Sequence, residues 1–435
     1  MVFGAMHLTL AEDAADRCFG TDYLNAPFFR NIGRYLVAGM APGPKLGFSY
    51  GDNTASNPID GSYAYFLYLV CAKHHLADIQ AVVDERVKEF EPTCAWAGLL
   101  WRDPSLTGGT LAKFPTVSFW PDIGWAVMRE SWQDGTVGAA FKCGPFGGYR
   151  LNEYRNQNDF KYINVAHDDP DANSFIVIND NEYLAETDRY SSAKRSSNYN
   201  TILINGMGQM TEGRPEPQGF SQPGGGDMTK MAVITAWKDA GDVVMVEGEA
   251  AGSYLAFTDK KAGKSRPALD RFRRTFVWVK GGYILVLDDI RAPQPVTISW
   301  LMQGGKLETI DAGAGRYRLS KNNAHCDFQL LCDAPVKTEC VTSTADHRGT
   351  TLGWQQLHAN TETTATRFVS VFDPWHRQLK LAVAGEKITV TGPSFTDTWQ
   401  WKPAIGKFDA SSLHGTRASG FDVTMDATTA KPPTP

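Results

Sequence analysis

The run Ala166-His167-Asp168-Asp169-Pro170-Asp171-Ala172-Asn173-Ser174-Phe175 sets one imidazole, three carboxylates and one carboxamide within seven residues, directly before the apolar segment Phe175-Ile176-Val177-Ile178. An imidazole titrates near neutral pH and suits proton transfer, while carboxylates can carry protons, bind cations or orient the imidazole. Tyr190, Lys194 and Arg195 follow, and then Asn198-Tyr199-Asn200-Thr201-Ile202-Leu203-Ile204-Asn205-Gly206. Polar side chains this dense at the mouths of strands cost stability unless they are paired or used. Asp and Asn also favour turns for local hydrogen-bonding reasons, so an Asx-rich turn is the competing reading. Residue types alone leave both open.

Two textures position this run. Residues 1 to about 100 read as helical, with Leu8, Leu10, Ala14 and Ala15 in helical spacing and further helices over 23–40, 63–75 and 84–90. Gly and Pro interrupt them at 41–44 and 56–58. From Phe114 the period changes to two. Short strands are expected at 116–120, 124–129, 137–142, 231–237, 243–249, 273–280, 283–288, 297–302, 316–320, 326–331, 367–372, 378–382 and 387–391. One face of these strands is apolar and the other charged, the pattern of a sheet with one buried side. Trp278 and Trp300 lie inside such strands and read as core rather than as a sugar-stacking surface. The fold class expected is α+β and multidomain: helices over 1–105, a large antiparallel β-sandwich over 106–420 and a disordered tail over 421–435.

At 435 residues, with 42% apolar and 21% charged side chains, the composition is that of an ordinary globular chain. A net charge of -5 without a basic stripe argues against a general nucleic-acid partner. That charge does not exclude a local cationic cleft for an acidic substrate, since Arg150, Arg155, Lys161, Arg189, Lys194 and Arg195 all fall in the central stretch. The seven cysteines are scattered without zinc or redox spacing, so free thiols are expected, although Cys326, Cys332 and Cys340 are near enough in sequence for one bridge. No apolar run approaches the roughly 18–20 residues that span a bilayer. The N-terminus carries no export-signal pattern and begins inside a helical pattern, which reads as a fragment.

Several motifs in order carry a family likeness. These are Ser49-Tyr50-Gly51-Asp52, then Asp122 to Trp132, Phe141-Lys142-Cys143-Gly144-Pro145-Phe146-Gly147-Gly148, the His167 to Phe175 run, Leu184 to Tyr190, and Asn198 to Gly206. Together they make the chain resemble the heparinase II/III-like polysaccharide lyases, with a texture similar to the alginate-lyase-like branches. The resemblance implies the last part of an (α/α) toroid followed by a β-sandwich, lacking the toroid helices that carry a catalytic Tyr and a neutralising Asn or His.

It also implies β-elimination on a uronate polysaccharide, alginate-like, with a glycosaminoglycan such as heparin or heparan sulfate as the alternative. A base removes the C5 proton, a cation or hydrogen-bond donor quiets the adjacent carboxylate, and an acid protonates the oxygen leaving C4. His167 matches the family's cleft histidine, and Tyr190 falls on the tyrosine of the following turn, as acid or substrate contact. Arg155, Asn158, Asn173 and Tyr199 are expected to bind the carboxylate or hydroxyls, Arg155 through its planar fork. Several relatives hold a zinc ion at positions that here read Asp169, Asp188 (or Glu186) and Tyr199. Losing both imidazoles disfavours zinc, while two carboxylates suit Ca²⁺ or Mn²⁺. The expectation is therefore a degenerate divalent site at Asp169 and Asp188 that is weakly held or absent, with no cofactor required. An acidic polysaccharide is the implied partner and the periplasm or cell exterior the implied location. A carbohydrate-binding module without catalysis and a glycoside hydrolase are the competing classes.

Overall fold

The computed structural model describes residues 2–43, 45–48, 50–52, 58–59, 65–89, 95–158, 167–210, 229, 231–259 and 264–426. Two compact units emerge: one from residues 1–49, 55–118 and 131–136, the other from 50–54, 119–130 and 137 onward.

The first unit is helical, with α1 (Val2–Phe19), α2 (Pro27–Ala38), α3 (Phe66–His74), α4 (Ala77–Arg86) and α5 (Ala95–Trp101). Pro27 opens α2, where a missing N–H costs nothing. Phe29, Ile32, Leu36 and Val37 of that helix recur at helical spacing and enter a core with Leu67, Val70, Ile79 and Val83. Gly33 lets α2 approach α4 closely, because a Cβ there would lie 2.7 Å from Ile79 Cδ1. The helix expected over 84–90 runs earlier, as α4 followed by a 3-10 turn at Val87–Glu89, and Phe90 lies outside the described residues.

The second unit is made of antiparallel sheets. Strands β1 (Val117–Trp120), β2 (Trp125–Arg129), β3 (Gly138–Lys142), β4 (Ser174–Asn179) and β5 (Glu182–Ala185) form one sheet in sequential order. A ten-stranded sheet is built on two long strands, Tyr283–Gly304 and Gln355–Asp373, which pair antiparallel with a register shift between Arg291 and Val296. Sequence pattern divides the first of these at Pro293 and Pro295. The chain instead keeps its strand through them, since both prolines are exposed at the register shift and no ladder N–H is lost there.

A third sheet takes five sequential strands from Lys380 to Met425. Trp399, Trp401 and Leu413 of this sheet share a core with Val277, Leu285 and Val371 of the large one. Trp278 and Trp300 are buried, in keeping with the core reading. The six described cysteines are all free, and Cys94 lies outside the described residues. The tail expected to be disordered over 421–435 instead begins with the strand Asp422–Met425, paired to Ser412–Arg417 with Val423 and Met425 turned into the core, and 427–435 lie outside the described residues. No described helix is long and apolar enough to cross a membrane.

One helix left no apolar signature. In α6 (Tyr149–Gln157) the buried positions are Asn152 and Arg155, a polar pair at i and i+3. Asn152 Nδ2 donates to the carbonyls of Phe146 and Gly148 at 2.8 and 2.7 Å, closing the entry to the helix.

Candidate functional site

The acidic run forms the loop that enters β4, and it passes from the exposed His167 through the half-buried Asp168 to side chains that are buried from Asp169 onward. Asp168 accepts Lys142 Nζ at 2.6 Å and the Gly147 N–H at 2.8 Å. Asp171 accepts the same ammonium at 2.8 Å. Asn173 takes a left-handed backbone (φ 56°) at the strand's mouth. Its carboxamide donates to the carbonyls of Gly248 and Phe272 at 3.2 and 2.9 Å, and its own carbonyl accepts Arg274 Nη1 at 2.6 Å. The far end of the stretch returns to the same loop, where Gln209 bonds both the N–H and the carbonyl of Ala172. Ser196 Oγ donates to the Pro170 carbonyl at 2.8 Å.

His167 alone of this loop's catalytic candidates reaches solvent, its side chain 66% exposed. Its Nδ1 lies 2.9 Å from Asp52 Oδ2, and the Asp52 side chain is itself 6% exposed. Gly51 makes this contact geometrically feasible. Its φ is +71°, and a Cβ there would sit 2.2 Å from the His167 carbonyl, the same carbonyl that accepts the Asp52 N–H at 3.1 Å. A carboxylate can only accept, so Nδ1 carries the hydrogen and Nε2 faces outward with its lone pair whenever the ring is neutral.

The Tyr190 ring stands edge-on to the imidazole, 6.1 Å between centroids. The guanidinium of Arg348 lies 5.2 Å from the Tyr190 ring centre, and the Arg348 N–H donates to the Tyr190 carbonyl at 2.7 Å. Arg348 is exposed and has no carboxylate partner among the described residues.

Beneath His167 lies a buried polar cluster. Lys194 Nζ donates to Asp52 Oδ1 at 2.7 Å and to Asp169 Oδ1, while the Tyr199 hydroxyl donates to Asp169 Oδ2. Burial opposes the Lys194 charge, but its carboxylate partners outweigh it and hold the ammonium above the ordinary lysine value. Asp188 accepts Asn198 Nδ2 at 2.5 Å and the N–H groups of Arg189 and Asp346 at 2.9 and 3.3 Å. Burial pushes its carboxyl up to about 7.

The fold thus brings His167, Tyr190, Asp169, Asp188 and Tyr199 into one neighbourhood, but gives them different surroundings. Tyr199 and Asn173 are fully buried and hydrogen-bonded inside, so neither reaches a ligand as the sequence reading expected. Arg155 is also buried, with Nη1 at 3.3 Å from Asn152, and offers no open fork. Asn158 caps the end of α6 by donating to the Tyr154 carbonyl at 2.7 Å.

The cations of the central stretch are likewise largely spent inside. Arg189 is held by Glu186 at 2.6 Å, Arg155 and Lys194 are buried, and Lys161 lies outside the described residues, leaving Arg150 and Arg195 exposed. Arg348 was invisible to sequence reasoning because it sits more than 150 residues beyond Tyr190, in a hairpin (Asp346–Thr351) without a motif. Asp52 carried only the weak Gly-Asp signal.

No family model and no curated protein sequence matches this chain. Solved structures do. Heparan sulfate lyase HepC from Pedobacter heparinus superposes with a TM-score of 0.55 at 12% identity, covering 91% of this chain and 52% of that one. A heparinase III structure gives a TM-score of 0.53 at 11% identity, covering 89% and 50% respectively. Another heparinase III gives 0.51 at 11% identity, covering 93% and 55%. At these identities the likeness is one of fold, and the chain spans about half the length of these structures.

Proposed function

We propose that the chain is a polysaccharide lyase that cleaves a uronate-containing polymer by β-elimination. A glycosaminoglycan of the heparan sulfate type is the first substrate to try and alginate the second. The observation that carries this reading is an exposed imidazole fixed on a buried carboxylate and set edge-on to a tyrosine, whose ring in turn meets the guanidinium of Arg348, on a fold shared with heparan sulfate lyases. The helical unit is read as the end of an (α/α) toroid and the sheets as the accompanying sandwich. The location that goes with this reading is the periplasm or the cell exterior.

The chemistry follows from the groups. Arg348 pairs with the uronate carboxylate, lowering the cost of developing negative charge at C5. His167 Nε2 takes the C5 proton, and the imidazolium that forms is stabilised by Asp52. The electron pair left at C5 forms the C4–C5 double bond as the C4–O bond breaks. The Tyr190 hydroxyl gives its proton to the departing oxygen.

The test mixes the protein with heparan sulfate, hyaluronan and alginate in turn and follows ultraviolet absorbance of the unsaturated uronate. A rise with one polymer, lost in His167→Ala and strongly reduced in Arg348→Ala, is the expected result. Saturated ends would indicate a hydrolase. Binding without any rise would favour a carbohydrate-binding module.

A further inference from the structure

The family likeness implies a structural metal at positions 169, 188 and 199, and what stands there does not suit one. Among the described residues no three His, Cys, Asp or Glu side chains converge as metal ligands would. Tyr199 is fully buried and uses its hydroxyl as a donor to Asp169, whereas a metal would take the phenol oxygen's lone pair. The Asp188 oxygens are taken by a carboxamide and two backbone N–H groups. Lys194 already places a positive charge between Asp52 and Asp169, with its side chain 2% exposed.

We propose that the Lys194 ammonium is the built-in cation of this site: it neutralises Asp52 and Asp169 as a bound divalent ion would, and so holds Asp52 against His167 without any metal. The charge balance supports this. Two buried carboxylates facing one another repel, and a buried carboxylate left without a partner is strongly destabilising. An ammonium offers three donors on a compact centre, enough to bridge both carboxylates. With Oδ1 of Asp52 fixed on Lys194, its Oδ2 is turned to His167 Nδ1. Lys194 is thus a positioning residue. Its effect on catalysis rests on the lyase reading, but its role as cation does not.

The experiment has three readouts on the full chain. The first is the metal content of wild-type protein by mass spectrometry after dialysis against Zn²⁺, Mn²⁺ or Ca²⁺, with the thermal unfolding temperature before and after chelator. Sub-stoichiometric metal and no shift are expected; a stoichiometric ion, or destabilisation by chelator, would overturn the proposal. The second is the ¹⁵N spectrum of the His167 ring at alkaline pH, assigned with His167→Ala. A single Nδ1–H tautomer is expected in wild type and Lys194→Arg, and a mixture in Lys194→Met; an unchanged tautomer in a folded Lys194→Met would refute the positioning role. The third is turnover, expected to fall at least about 10²-fold in Lys194→Met with partial rescue in Lys194→Arg. Absence of lyase activity in wild type would sink the functional reading while leaving the first two readouts decisive for the cation. If Lys194→Met does not fold, the wild-type metal content and chelator response decide alone.

Discussion

Lys142 and Lys194 are both buried ammonium groups that bridge two carboxylates, and both draw on the same acidic loop. Lys142 takes Asp168 and Asp171, which belong to one loop, and ties that loop to β3. Lys194 takes Asp169 from the loop and Asp52 from a distant segment, and the second oxygen of Asp52 meets the exposed His167. In each case burial opposes the charge and the carboxylates overcome it, so both ammonium groups stay protonated. The difference lies in what each carboxylate touches next. One bridge ends in backbone and fixes shape, while the other ends in an imidazole open to solvent. The same buried chemistry therefore fixes the loop's shape on one side and holds an exposed imidazole in place on the other.

Breaking the structural bridge has the largest expected effect. Lys142→Met leaves Asp168 and Asp171 without their cation and lowers stability by about 3–5 kcal/mol in urea unfolding. A loss under about 1 kcal/mol would mean that the bridge is not formed in solution.

Asp188 sharpens the contrast, because its donors are neutral. With its carboxyl pushed up to about 7 by burial, the folded state keeps a proton that the unfolded chain releases near pH 4. Its contribution is full below about pH 4 and is lost as pH rises through about 7, by up to about 4 kcal/mol. Asp188→Asn should flatten the decline of the unfolding temperature over that window. An unchanged profile would mean that Asp188 is ionised throughout.

The smallest stability effect is expected at the exposed end of the other bridge. His167→Ala should alter stability by no more than about 0.5 kcal/mol while abolishing the absorbance rise. Destabilisation by several kcal/mol would make His167 a structural residue.

Much of this organisation was legible in the sequence. Apolar runs and alternation marked many strands, and Phe175 to Ile178 pointed to β4, but the expected wet face is missing from β2, β3 and β4, which are buried along their whole length because both faces are covered. The acidic run stood out by its density. Three features stayed hidden for physical reasons. Helix α6 buries Asn152 and Arg155 instead of an apolar stripe, so periodicity had nothing to detect. The long strand crosses two prolines that look like breakers until their exposure at a register shift is seen. Arg348 joins Tyr190 through tertiary contact alone.

By itself, the sequence determined that a histidine and several carboxylates enter a buried strand, and that helices give way to antiparallel sheets. Side-chain type and local period are one-dimensional properties, and those conclusions need no more. Only the tertiary structure decided which polar groups are spent inside. Asn173, Tyr199 and Arg155 are buried and bonded, while His167 is left facing solvent, because partners such as Asp52, Arg274 and Gly248 arrive from remote segments whose distance in sequence says nothing of their distance in space.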